Sequence, residues 1–197
     1  MGLLSTAISS VIGAMLGALA GFYGKTLDNI IMRIVDIMLA IPAILLAISI
    51  AAALGPGLGN VMIAVSIGAI PSFARIVRAG VLTVKEQEFV EAARACGASD
   101  LRIILKHILP NCMATLIVQA TLGVASAILS TSGLSFIGLG ISPPTPEWGA
   151  MLSAGRQYIR DYGYIVLFPG LAIAVTIFAL NLFGDGLRDA LDPRLKT

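Results

Sequence analysis

Residues suited to acid–base, nucleophilic or metal chemistry are few in this chain. There is one histidine, His107, and there are two cysteines, Cys96 and Cys112. The cysteine spacing fits no common metal motif, and a reducing cytoplasm disfavours a disulfide between them. A serine hydrolase needs a base within reach of its nucleophile. His107 follows Lys106 at the edge of an apolar run, a poor seat for that base. All three read as packing or interface residues. Gly24-Lys25-Thr26 ends like a phosphate loop, but the glycine required five residues earlier is Leu19, and an apolar run precedes it rather than a strand. No other stretch supplies such a loop. The expectation is therefore a chain with no catalytic residue, no metal site and no cofactor of its own, and any nucleotide energy must come from a partner.

Asp36 is an acidic residue at the edge of the second long apolar run. Intramembrane carboxylates are functional candidates by default. Arg33 lies three residues earlier, on the same helical face, so the spacing predicts a structural Arg33–Asp36 ion pair rather than a proton relay. Pro42 is expected to kink this helix.

These residues must sit in a membrane. Apolar residues make up 57% of the 197, and mean hydropathy is +0.94. Charged residues make up 12%, about half the share of a soluble domain. Disorder needs low hydrophobicity and high charge. Two cysteines cannot staple a disulfide scaffold. A formal charge of +2 is too small for a nucleic-acid binder. A soluble globule of this size would leave too much apolar surface in water.

Charges are absent from 1–24, 37–74, 108–146 and 162–184. A span needs about 20 apolar residues. The second run is broken by Gly55-Pro56-Gly57-Leu58-Gly59-Asn60. Five spans follow, at about 3–24, 34–54, 60–76, 108–132 and 164–184, the third being the shortest. The runs are long and lack period-two alternation, so the fold class is all-α: one polytopic transmembrane domain, 1–197. The first run lacks a basic n-region and exceeds a signal h-region, so it reads as a span. Gly13, Gly17 and Gly21 give it a face of small residues for close helix packing.

Lys and Arg set the orientation. Eleven of the 13 fall in segments 25–33, 75–107 and 185–197, and only Arg156 and Arg160 fall on the other side. The first three segments are expected in the cytoplasm, with 55–59 and 133–163 outside. An odd span count puts the N-terminus outside without a signal, so one further preceding span is expected.

The segment 77–107 carries most information. Residues 86–96 read as a short amphipathic helix, with Phe89, Ala92, Ala93 and Cys96 at i, i+3, i+4 and i+7. Gly97 stops it. Ser99 can cap a second helix, and Pro110-Asn111 mark entry to the next span. The polar face mixes Glu86, Glu88 and Glu91 with Arg94. Anionic lipid would prefer a wholly basic face, so a groove in a protein partner fits better. Segment 133–163 is long enough to be functional, and its Trp148 and Tyr158 suit a membrane interface.

Glu91-Ala92-Ala93-x3-Gly97 followed by Leu109-Pro110 resembles the EAA motif of ABC importer permeases, with His107 in place of the usual Ile two positions before that Leu. Leu134-Ser135-Phe136-Ile137-Gly138-Leu139-Gly140 with Pro143-Pro144-Thr145-Pro146-Glu147-Trp148-Gly149 resembles the external loop of dipeptide/oligopeptide/nickel permeases. The stretch from Asn181 to Arg194 resembles their C-terminal end, and Arg33 to Pro42 is similar to them too. The likeness covers essentially the whole chain and is to the second permease type. It implies six spans, one of them before the first span here.

The resemblance further implies a second permease subunit, two ATPase subunits that hold ATP and Mg, an external substrate-binding protein, and a lipid surround in a prokaryotic plasma membrane, with the C-terminus cytoplasmic. Under it, 86–98 is a coupling helix. Phe89, Ala92 and Ala93 fill an ATPase groove, Glu91 makes a polar contact there, and Gly97 permits the turn. Trp148 belongs to a loop that docks the binding protein or lids the mouth. Peptide is the expected cargo, since the seven Met, His107 and the two Cys form no evident nickel relay. A nickel permease, a secondary transporter or channel using Asp36, and a membrane enzyme using His107 are the competing readings.

Overall fold

A computed structural model describes residues 1–141 and 144–191. Pro143, Asp192, Pro193, Arg194 and Lys196 lie outside the described residues. The described residues form helices and turns without a strand. In order they are α1 (Gly2–Tyr23), α2 (Lys25–Ala40), α3 (Ala43–Leu54), α4 (Leu58–Val84), α5 (Glu88–Ala95), α6 (Asp100–Ile103), α7 (Leu109–Phe136), α8 (Trp148–Gly155) and α9 (Tyr164–Leu191). A π-helical turn, Ile104–Ile108, joins α6 to α7.

Among the described residues, four helices are long and apolar enough to cross a membrane: α1, α4, the continuous run Asp100–Phe136, and α9. A fifth crossing exists if α2 and α3, bent 90° to one another, count as one. The bend falls at Ile41-Pro42, where the backbone turns extended. Proline lacks the N–H that would continue the ladder and clashes with the preceding turn. The kink expected at Pro42 is thus a full break, and the kinked span expected over 34–54 is two helices, the first starting at Lys25.

The glycine stripe of α1 lies against α4. A Cβ on Gly21 would sit 2.9 Å from the Val81 Cβ, and one on Gly17 would collide with the Ala74 carbonyl. Gly13 abuts Phe73 in the same register. Removing side chains lets the two backbones approach, which is how helices gain dispersion energy where lipid offers no hydrophobic drive. Further along, the Ser66 hydroxyl donates to Met62 O at 2.6 Å and lies 3.1 Å from Ser5 O, so hydroxyls bridge the pair. The register climbs together in α1 and α4, so they run parallel. α7 runs against them: Gly2 meets Ile128, while Gly80 meets Cys112. These relative directions are those a chain crossing back and forth in the expected span order would have. The two segments expected on one side, 55–59 and 133–163, meet at one end, where the Gly57 N–H donates to Gly140 O at 3.3 Å.

Several boundaries differ from the charge-based ones. The third span is not the shortest: α4 runs 27 residues, past Arg75 and Arg78, because both guanidiniums are neutralised by carboxylates on α2. The fourth begins at Asp100 rather than 108, since Pro110 is absorbed by the preceding π turn instead of ending the helix. The segment 133–163 is partly helical, holding the end of α7, all of α8 and a short 3₁₀ turn.

Candidate functional site

The short helix α5 stands at the basic end of the bundle. Gln87 is extended at its start, and Glu88 and Glu91 occupy the first turn, where the helix dipole favours negative charge. Arg94 occupies the last turn. The stop is a Schellman motif: Ala98 N–H donates to Ala93 O at 3.1 Å and Gly97 N–H to Arg94 O at 2.9 Å. Gly97 takes φ +77°, and a Cβ there would meet nothing within 4 Å. The glycine is required by backbone conformation alone, not by crowding.

α5 has two faces. Its inner residue Val90 is completely buried, in one cluster with Phe22 of α1, Val77 and Val81 of α4, and Ile103, Ile104 and Ile108. Ala93 and Ala98 pack against the same cluster. The Arg94 guanidinium lies 5.3 Å from the centre of the Phe22 ring, a cation–π distance. The outer face presents Phe89, 43% exposed, with Glu88, Glu91, Ala92 and Cys96.

The predicted stripe Phe89–Ala92–Ala93–Cys96 is therefore corrected: Ala93 turns inward with Val90. Val90 is a residue the sequence reading missed. Its signal was present as a second apolar spacing, Val90 to Ala93, on a helix too short for one stripe to stand out.

The elbow between α1 and α2 clasps α4 just before α5. Arg78 donates to Asp28 from Nε at 2.5 Å and from Nη2 at 2.6 Å. Lys85 Nζ donates to Gly21 O at 2.9 Å. Asp36 pairs with Arg75, not with Arg33, at 2.6 Å. The i−3 neighbour lost to a residue from a packed helix, which reaches the carboxylate through one Nη2–Oδ1 contact. The sequence reading used Arg75 and Arg78 only to orient the chain. Two carboxylates eight residues apart on α2 facing two arginines three apart on α4 were the overlooked signal.

At the other end, Trp148 opens α8 and is partly exposed. The helix is capped by Glu147, whose Oε2 accepts from Ala150 N at 2.8 Å. Gly149 lets α8 lie against α7, since a Cβ there would press on the Ser132 backbone. His107 sits half-buried in the π turn, Cys112 is buried and Cys96 exposed. Among the described residues no three of His, Cys, Asp and Glu are placed to hold a metal ion.

A multi-pass helical membrane chain with a small amphipathic helix set outside its bundle is the architecture these observations define. The chain belongs to the family of binding-protein-dependent transport system inner membrane components, which matches residues 13–197. It is 52% identical over 196 residues to the di/tripeptide transport system permease protein DppC of Pseudomonas aeruginosa, spanning 100% of this chain and 65% of that protein. It is 53% identical over 176 residues to the dipeptide transport system permease protein DppC of Alkalihalophilus pseudofirmus, spanning 89% and 58%. The glutathione transport system permease protein GsiD of Escherichia coli is 50% identical over 195 residues, spanning 99% and 64%. The chain thus spans a little under two thirds of the length of these curated relatives. Its fold is that of a chain of the MetNI methionine ABC transporter solved in inward-facing conformations, with TM-score 0.71 and 22% identity over 97% of this chain and 93% of that one. A solved amino acid ABC transporter chain superposes with TM-score 0.56, at 16% identity over 99% and 91%.

Proposed function

We propose that this chain is a permease subunit of an ATP-driven peptide importer, and that α5 is the helix through which ATPase subunits drive it. The observation that carries this reading is the two-faced geometry of α5. Its outer face, Phe89 and Ala92 flanked by Glu88 and Glu91, is open to a partner. Its inner face is locked by Val90 into the cluster shared by α1, α4 and the start of α7. A partner that moves the outer face must move those spans with it, because packed cores shift as units rather than deform continuously.

The partners in this reading are a second permease subunit, two ATPases carrying ATP and Mg, and an external binding protein, with the basic end and C-terminus in the cytoplasm. The relatives are named for di/tripeptides, dipeptides and glutathione, which favours peptide over nickel as cargo. In this reading Trp148 and α8, at the opposite end from α5, meet the binding protein. The test is dipeptide uptake by cells carrying Gly97→Val, whose β-branched side chain is strained at φ +77°. The expected outcome is loss of uptake with the chain still inserted, and normal uptake overturns the assignment.

A further inference from the structure

The importer reading leaves open which residues touch the cargo. A groove of about 190 Å³ lies between α3, α4 and α7, roughly midway along the spans. It has room for about six waters. Gly68, Ser72, Gln119, Gly123, Ser126 and Ser130 are among the residues that line it.

These polar groups differ in how they are satisfied. The Ser126 hydroxyl turns back to its own helix, 3.3 Å from Leu122 O. Ser72 is exposed and Gln119 and Ser130 are half-buried on the groove wall, so their polar groups are open to an occupant. A carboxamide carries two donors and an acceptor with two lone pairs, more than its own helix backbone can satisfy. Against hydrocarbon, each unmet group is costly. The groove therefore faces water or a polar occupant rather than lipid tails.

Its chemistry also narrows the occupant. Hydroxyls and a carboxamide offer both donors and acceptors, and no charged side chain lines the groove. That set complements main-chain N–H and C=O groups, which every peptide carries whatever its side chains. We infer that the α3–α4–α7 groove, through Gln119, Ser72 and Ser130, is a contact site for the main-chain amides of the transported peptide. The inference rests on the peptide-importer reading above. Neutral, uncommitted hydrogen-bonding groups suit passage, because binding must be weak enough to release.

The test uses the assembled transporter in its membrane, with Cys96→Ser and Cys112→Ala removing native thiols. Ser126→Cys and Ser130→Cys, each near-isosteric, are introduced one at a time and reacted with a charged, water-soluble thiol reagent. Both are expected to react, and a dipeptide presented with binding protein and ATP is expected to slow the reaction several-fold. Gln119→Leu is expected to lower maximal dipeptide uptake about five-fold, the loss of one hydrogen bond, while Gln119→Asn retains most of it. Absence of reaction, or a rate indifferent to dipeptide in an assembly that transports dipeptide, overturns the groove assignment alone. Failure of the unsubstituted assembly to transport dipeptide overturns the importer reading and the groove with it.

Discussion

The Asp28 carboxylate on α2 is gripped by the Arg78 guanidinium on α4, at 2.5 Å from Nε and 2.6 Å from Nη2. The pair is part-buried, and fork geometry makes it stronger than a single-point contact. It ties the α1–α2 elbow to the stretch of α4 that leads into α5. Arg78→Lys keeps the charge and loses the fork. Expected is a complex that assembles but couples poorly, with transport several-fold below that of the unsubstituted chain. Arg78→Ala, which strands Asp28, is expected to reduce the amount of folded chain recovered from membranes. The Asp36–Arg75 pair is half-exposed on the bundle surface, so Asp36→Asn is expected to change recovery little.

Gly97 is a conformational requirement. Substitution by Asn, which tolerates the left-handed region, is expected to retain much of the uptake. Substitution by Val, β-branched and strained at φ +77°, is expected to abolish it. The two variants measured side by side separate backbone strain from crowding. Equal activity in both contradicts the strained-turn account.

The faces of α5 are expected to respond differently to mutation. Val90→Ala opens a cavity in the buried cluster and should cost about 2 kcal/mol of stability, read as a lower denaturation midpoint in detergent. Phe89→Ala should leave that midpoint within about 0.5 kcal/mol while uptake falls. A matching stability loss for Phe89→Ala would place it in the core instead.

Gly17→Val puts a branched side chain where the α4 backbone already lies. Overpacking there leaves no flexible neighbour to yield, since the nearest atom is the Ala74 carbonyl. Loss of the inserted, folded chain is expected, read by protease resistance. Gly186→Ala on α9, with nothing within 4 Å of its Cβ, is expected to be silent.

Much of the fold was legible because lipid imposes simple rules. Charge-free runs located α1, the body of α4 and the start of α9, and glycines every four residues marked the α1–α4 contact. What stayed hidden depends on tertiary pairing. The length of α4 could not be read while Arg75 and Arg78 looked like span-ending charges, because their partners are 39 and 50 residues away. Asp36 was assigned a local partner for the same reason. Within 77–107, the helix and its glycine stop were readable from spacing. The inward turn of Ala93 was not, because eight residues make barely two turns, and packing against Phe22 decides which apolar stripe is buried.

The central claim is that the Phe89–Ala92 face of α5 meets an ATPase. The direct measurement places a photo-activated cross-linking residue at Ala92 in the assembled complex in its native membrane and identifies the adduct by mass spectrometry. The account predicts a covalent adduct to a subunit bearing a nucleotide-binding phosphate loop, lost when Gly97→Val is introduced. An adduct only to lipid, or only to this chain itself, contradicts it.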